Sequence, residues 1–221
     1  MDPTGLTAVN EQISEAARQA QRSDPIRLVV VVKYASDDQV DAVVAAGATD
    51  LGESRADALL ARSARHESVT WHFIGRLQSN KARLVRAGAD LLHSMDRPKL
   101  VAHWARDDGV VPPVLIQVNL AGEDQKGGVA PAEARSLVDQ CLQAGIEVRG
   151  LMTVPPRPER TGDSARWFSQ LRHLRDDLAV DHPSLTELSM GMSDDFETAI
   201  AEGATILRVG RAIFDPFRNE G

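Results

Sequence analysis

The chain has 221 residues, 43% hydrophobic and 26% charged, with 25 basic and 32 acidic side chains and a net charge of −7. That balance suits one soluble globular domain, and the acidic excess argues against general binding to nucleic acid or anionic membrane. The single cysteine, Cys141, excludes an intrachain disulfide and a cysteine metal cluster, and no apolar run approaches the ~20 residues that a membrane-spanning helix needs.

The opening stretch, MDPTGLTAVNEQISEAARQAQRSDP, lacks a basic segment followed by an apolar one, so no signal peptide and a cytoplasmic location are expected. It reads as a helix over about residues 5–21. The first strand, 28–33, holds four consecutive valines and ends on Lys33. A helix over 37–46 follows a Ser36 cap. A short strand at 50–51 leads to an Ala-, Leu- and Arg-rich helix over 53–65. Strand 71–75 precedes a helix over 79–87, and strand 90–95 precedes a helix over 98–106 with Pro98 in its first turn. Strand 114–119 is followed by a helix over 131–144, stopped by Gly145. Strand 147–152 runs into a loop over 154–164 and a helix over 164–178. Strand 187–190, a helix over 195–201 stopped by Gly203, and strand 206–209 complete the series.

Eight strand–helix units imply a parallel sheet with helical crossovers. In about 200 residues they fit a (β/α)8 TIM barrel at its short limit. An open doubly wound sheet is the rival, but it advertises a glycine-rich turn after its first strand, and KYASDD has no glycine. The expected organisation is a single domain over 1–221, with the barrel over about 28–214.

In such a barrel Lys33 stands at the C-terminal rim, where active sites lie. Partial burial of an ammonium at a rim favours the neutral amine, a nucleophile able to form an imine with a carbonyl. The plain alternative is a lysine whose stem lies on apolar surface and whose head reaches water. The loops after strands seven and eight, SMGMSDD and RVGRAIF, sit where barrels bind phosphate. Gly191 and Gly210 allow close backbone approach, Ser193 offers a hydroxyl, and Arg208 and Arg211 bring positive charge. Gly210, Arg211 and Ala212 have the makings of a short helix start for an anion. Alternatively Ser193 or Asp194 caps the next helix, since Asp194 and Glu197 have capping-box spacing. Asp194, Asp195 and Glu197 repel phosphate, so its contacts are expected at Ser193 and at the Gly210 and Arg211 backbone.

Taken together, these residues resemble the pyridoxal-phosphate homeostasis protein family, whose barrel is that of the alanine racemase N-terminal domain. The likeness runs over about 28–214 and is strongest in WHFIGRLQSNKARLV, in LSMGMSDDFETAIAEGATILRVGRAIF and in the lysine-ended first strand. RGLMTVPP and NLAGEDQKGG match more loosely. The resemblance implies that Lys33 forms an internal aldimine with pyridoxal 5′-phosphate. Ser193 and the Gly210 and Arg211 backbone would hold the phosphate, and Arg208 would face the pyridine nitrogen. Met192 and Gly191 would line the pocket, and Lys126 matches a family lysine. A permanently charged arginine leaves the ring nitrogen unprotonated and weakens the ring as an electron sink, which suits a carrier better than a catalyst. The implied protein is a monomeric, cytoplasmic cofactor buffer that hands its cofactor transiently to pyridoxal-phosphate-dependent apoenzymes. The chain departs from the family pattern at Tyr34 and Ala35, where threonine and a second lysine are usual. It departs again at Ser54, where asparagine is usual, and at Arg211, where a small residue is usual.

Two other activities compete. A racemase needs an acid–base group on each face of the substrate carbon, and the racemase family takes its second from a tyrosine in an extra domain. This chain is expected to lack that domain, and its one tyrosine, Tyr34, adjoins Lys33. A class I aldolase would use a similar lysine and be colourless, but such lysines commonly sit on later strands. Elsewhere, His72 reads as a hydrogen-bonded core histidine more than a cofactor neighbour. The six histidines lack metal-binding spacing, so no metal is expected. Arg76, Lys81, Arg83 and Arg86 read as a solvated face, Glu53 as a helix cap more than a proton acceptor, and Cys141 as packed with Val138 and Leu142.

Overall fold

Short apolar runs too brief for helices become strands here because both of their faces are covered. The computed structural model describes residues 4–106, 109–158, 160 and 162–214. The strands are β1 (Arg27–Val31), β2 (Asp50–Glu53), β3 (Thr70–Phe73), β4 (Leu91–Met95), β5 (Val114–Gln117), β6 (Val148–Met152), β7 (Glu187–Ser189) and β8 (Ile206–Val209). They pair in parallel and in chain order, and β8 closes on β1. The crossovers carry α2 (Asp37–Ala45), α3 (Ala56–Arg65), α4 (Ala82–Arg86), α5 (Pro98–Trp104), α6 (Ala134–Gln143), α7 (Ala165–Ala179) and α8 (Phe196–Ala201). The first helix, α1 (Thr4–Gln19), packs on α8 and on the terminal turn α9 (Arg211–Phe214). The expected (β/α)8 barrel is the fold observed. Parts of the expected single domain, residues 1–3 and 215–221, and of the expected loop, Glu159 and Thr161, lie outside the described residues.

Three expectations are corrected. The first strand ends at Val31, so Lys33 stands two residues beyond it, in a turn. The 195–201 helix starts at Phe196, and neither Ser193 nor Asp194 caps it. Glu53 does not cap α3. Cys141 is buried beside Val138, as expected, while Leu142 is 39% exposed. Burial among apolar neighbours pushes the Cys141 thiol up to about 12, so it stays protonated and inert.

Two layers of side chains stabilise the barrel. Outside it, Leu51, Trp71, Phe73, Leu92 and Leu151 meet the helices, together with Trp104 and Phe168. Each such side chain contributes roughly 1.5–3 kcal/mol relative to exposure. Inside it, Val29, Leu91, Leu115, Met152 and Ile206 form a small apolar plug. Strand alternation then sends a second, polar set inward above and beside that plug. His72 Nε2 lies 3.0 Å from Asp50 Oδ1, and His72 Nδ1 lies 2.9 Å from His93 Nε2. His93 Nδ1 lies 2.9 Å from Ser189 Oγ, which also accepts from Arg208 Nη1 at 2.5 Å. His72 is thus the core histidine expected from the sequence.

Barrel closure needs Gly150. A Cβ there would stand 1.9 Å from the Glu187 carbonyl oxygen, a backbone atom that cannot turn aside. Gly150→Ala is expected to lower unfolding stability by about 3 kcal/mol or more, read as a shift of the denaturant midpoint; an unchanged midpoint would contradict the close approach of β6 to β7.

Burial holds the His93 pKa well below the ordinary 6.5, and His72 of β3, Arg208 of β8 and Arg27 of β1 oppose a charge there. Asp50 of β2 and Glu187 of β7, the acids on this side of the barrel, are engaged by Arg27 at 3.5 and 4.0 Å. The unfolded chain therefore takes up this proton before the folded one. The resulting stability is complete above about pH 6.5 and is lost as the pH falls below it. Midpoints measured at about pH 7.5 and about pH 5.5 should fall in that order, and His93→Gln should flatten the difference.

Candidate functional site

A cavity of about 550 Å³ opens at the C-terminal rim, between the ends of β1 and β8. That size suits a small organic ligand. Lys33, Tyr34, Met192, Ser193, Arg208, Gly210 and Arg211 all line it. Another hollow, about 700 Å³, lies at the other end of the barrel around Ser63, Glu67, Arg86, Asp90 and Arg149, and contains no lysine.

Lys33 is held by its backbone rather than by its head. Val32 N donates to Gly52 O at 2.9 Å, extending the β1–β2 ladder by one step, and Ala35 N returns to Val32 O at 3.0 Å to close the turn. Ser36 then starts α2: Gln39 N donates to Ser36 Oγ at 3.2 Å and Ser36 N to Gln39 Oε1 at 2.9 Å, a complete capping box. Arg62 of α3 reaches beneath the turn. It donates to Val32 O at 2.9 Å, Ala35 O at 2.7 Å and Glu53 Oε2 at 2.8 Å, and its Nε meets Asp37 Oδ1 at 3.1 Å. Glu53, fully buried at the end of β2, also accepts from Ser54 N and Arg55 N. It therefore fixes the turn before α3 and anchors Arg62, but it does not cap the helix, contrary to expectation: the N-cap residue is Arg55 and no side chain caps it.

The Lys33 ammonium has no hydrogen-bond or ion-pair partner among the described residues. Its Nζ lies over the Tyr34 ring, 5.0 Å from the centroid. Tyr34 itself is 88% exposed, whereas Ala35, in place of the family's second lysine, is buried. Sequence reasoning missed Arg62 altogether. The one available signal was a glutamate ending a strand, which calls for a buried cation.

The loops after β7 and β8 meet through Ser193, whose Oγ accepts from Ala212 N at 3.3 Å. Asp195 turns inward. Its carboxylate accepts from Met192 N and from the Ser164 hydroxyl, both at 2.8 Å, and fixes the loop. Asp194 is offset by two cations, Arg211 at 2.6 Å and Arg157 at 3.4 Å. Of the acids that would repel an anion, Asp194 is thus offset by contact. Gly191 does not line the cavity, contrary to expectation. At φ +89° it lets the chain pass α8 where a Cβ would meet Ala199 Cβ at 2.5 Å. Its role is packing.

Arg208 is 4% exposed and closes the cavity's inner wall. Besides Ser189 it donates to Thr153 O at 2.8 Å. Burial brings its pKa down to about 10, against the raising effect of Asp195, so it stays cationic at neutral pH. Lys126 is tied to Pro155 O at 2.7 Å and Glu123 at 2.6 Å, bracing the β5 and β6 loops against each other. In the basic patch, Lys81 pairs with Asp57 at 3.3 Å and Arg86 donates to the Val110 carbonyl at 3.3 Å. Among the described residues no group of three His, Cys, Asp or Glu side chains is placed to hold a metal, and no helix is long and apolar enough to cross a membrane.

Arg62→Ala leaves the buried Glu53 carboxylate with only the exposed Arg55, at 3.8 Å, as a counter-charge and frees the Lys33 turn. It is expected to cost about 3–5 kcal/mol of unfolding stability. Hydrogen exchange in residues 32–36 should rise above that of Arg55→Ala, whose side chain is exposed; equal exchange in the two would show that the turn does not rely on Arg62.

No family model matches the chain. It is 38% identical over 217 residues to the pyridoxal phosphate homeostasis protein of Aquifex aeolicus, covering 95% of each chain. It is 34% identical over 222 residues to the protein of that name in Escherichia coli K12, covering 95% of this chain and 94% of the other. Among solved structures it is similar to PipY of Synechococcus elongatus with PLP bound. There the TM-score is 0.76 at 33% identity, over 91% of this chain and 99% of PipY. A lysine/ornithine decarboxylase of Vibrio vulnificus, at 16% identity and TM-score 0.68, shares the fold over 91% of this chain and 61% of its own. With relatives above 30% identity along nearly its whole length, and a barrel that superposes on theirs, the chain belongs to the pyridoxal phosphate homeostasis protein family.

Proposed function

We propose that the chain binds pyridoxal 5′-phosphate covalently through Lys33 and buffers or hands on that cofactor without catalytic turnover. One observation carries the reading: Lys33 is an unpaired amine on the wall of a cavity whose other walls supply a hydroxyl, a glycine-opened helix start and two arginines. That donor set fits the cofactor. When bound, the group supplies an aldehyde that condenses reversibly with amines.

Each residue has a separate task. Lys33 provides the amine, and the Arg62 clamp keeps it at the rim. Ser193 and the Gly210 and Arg211 backbone hold the phosphate, with Asp194 sharing the Arg211 charge. Arg208 meets the ring nitrogen and, being donor-only, does not pass it a proton. Met192 lines the wall. Gly191 is withdrawn from the binding set. The absence of turnover is supported by the cavity's lining among the described residues, which holds no His, Asp or Glu and whose one tyrosine, Tyr34, follows Lys33 in the same turn and is largely in solvent. The open mouth leaves Lys33 reachable by competing amines, which suits transient transfer to cytoplasmic apoenzymes by a monomer, with residues 1–221 acting as one domain.

The purified protein should take up about one equivalent of pyridoxal 5′-phosphate and turn yellow. Borohydride reduction should fix the group on Lys33, as read by peptide mass spectrometry, and Lys33→Ala should stay colourless. A label on another lysine, or turnover of alanine above that of free cofactor, would overturn the proposal.

A further inference from the structure

The polar file inside the barrel links the cavity to the opposite face of the molecule. Its members come from five strands: Arg208 from β8, Ser189 from β7, His93 from β4, His72 from β3 and Asp50 from β2. Arg208, Ser189, His93 and His72 are almost wholly buried, whereas the Asp50 side chain is 14% exposed and also engages Thr49 and Arg27. Both ends of the file have a fixed hydrogen-bonding sense, since a guanidinium only donates and an ionised carboxylate only accepts.

That fixes the sense of every link between them. Ser189 Oγ accepts from Arg208, so its own proton goes to His93 Nδ1. His93 then carries its proton on Nε2 and gives it to His72 Nδ1. His72 in turn carries its proton on Nε2 and gives it to Asp50. With both rings neutral, no other arrangement satisfies all four contacts. Two rivals exist, one that charges His72 and puts the His93 proton on Nδ1 and one that charges His93; both leave the Ser189 hydroxyl hydrogen without an acceptor in the file, and burial beside Arg208 and Arg27 opposes the second.

We propose that this file is a one-way hydrogen-bond relay that locks both imidazoles as neutral Nε2–H tautomers and, through Ser189, holds the Arg208 guanidinium in place at the cavity wall. Asp50 is then a positioning residue for a ligand site on the opposite face of the barrel from its own. The consequence for the ligand rests on the pyridoxal 5′-phosphate reading above; the tautomers do not.

Nitrogen-15 spectra of the histidine rings in the cofactor-free full chain read the relay directly. Both rings should appear as Nε2–H at neutral pH. Asp50→Ala should shift the His93 ring signals although the two residues are not in contact, while Asp50→Asn, which keeps an accepting oxygen, should leave them in place. Ser189→Ala changes volume little but removes the central link, and should weaken pyridoxal 5′-phosphate binding about tenfold with the Lys33 label retained at saturation. Ser189→Thr should restore binding. An Nδ1–H tautomer, a charged His72, or His93 signals indifferent to Asp50→Ala would overturn the relay. Failure of the wild-type chain to load the cofactor would overturn the functional reading instead, with the tautomer result still deciding the relay.

Discussion

Everything at the rim depends on how one buried guanidinium is shared. Arg62 spreads its donors over Val32 O, Ala35 O, Glu53 and Asp37, which belong to the Lys33 turn, the end of β2 and the start of α2. Removing such a cation from water is costly, and the cost is met only because each donor finds an acceptor in good geometry. Planarity matters as much as charge. A lysine at this position would offer a point charge and could not hold two carbonyls and a carboxylate at fixed angles. Thus a residue outside the cavity determines where Lys33 sits, while Lys33 itself keeps its head unpaired.

A second buried arginine solves the same problem differently. Among the described residues Arg208 has only Ser189 Oγ and Thr153 O as hydrogen-bond partners, and it lines the cavity. Its distant counter-charge is Asp195, which is occupied with Met192 N and Ser164. The barrel therefore carries positive charge at its inner wall that is satisfied in hydrogen bonds but not neutralised by contact. In the proposed reading, an anionic ligand with an accepting ring nitrogen would complete that arrangement. The plug formed by Val29, Leu91, Leu115, Met152 and Ile206 supplies the low-polarity surroundings in which such contacts are strong.

The barrel was legible in the sequence because its signal is repeated. Eight short apolar runs with capped helices between them are redundant, and misplacing one boundary changes nothing. The rim was legible at Lys33, Ser193, Gly210 and Arg211, where residue type and position agree. What escaped was set by long-range contacts. Nothing near Arg62 in the chain says that it reaches back to residues 32 and 35, because a helix-face arginine reads as solvated until the facing strand end is known. Gly191 was assigned to the pocket because glycine near an anion site usually allows close approach. Its true neighbour is Ala199, on a helix that begins later than the Asp194 and Glu197 spacing suggests. His72 is the core histidine that the sequence suggests, but its partners lie 21 and 22 residues away, and His93 in turn meets Ser189 across 96 residues, separations that local pattern cannot bridge.

The two ends of the site differ in rigidity for a physical reason. The inner wall is built from strand side chains locked by neighbours on both sides, so Arg208 has almost no freedom. The outer wall is a turn and a loop, with Tyr34 standing in solvent and no covering element among the described residues. A catalyst gains from enclosing its ligand, because excluded water strengthens every contact inside. A carrier gains from the reverse. Under the proposed reading, firm contacts on the ring and phosphate would keep the cofactor bound, while an accessible amine linkage would let a competing amine take it away. Rigidity concentrated at the floor and openness at the mouth are therefore two halves of one design, and they follow from which side chains the strands turn inward and which the loops leave outside.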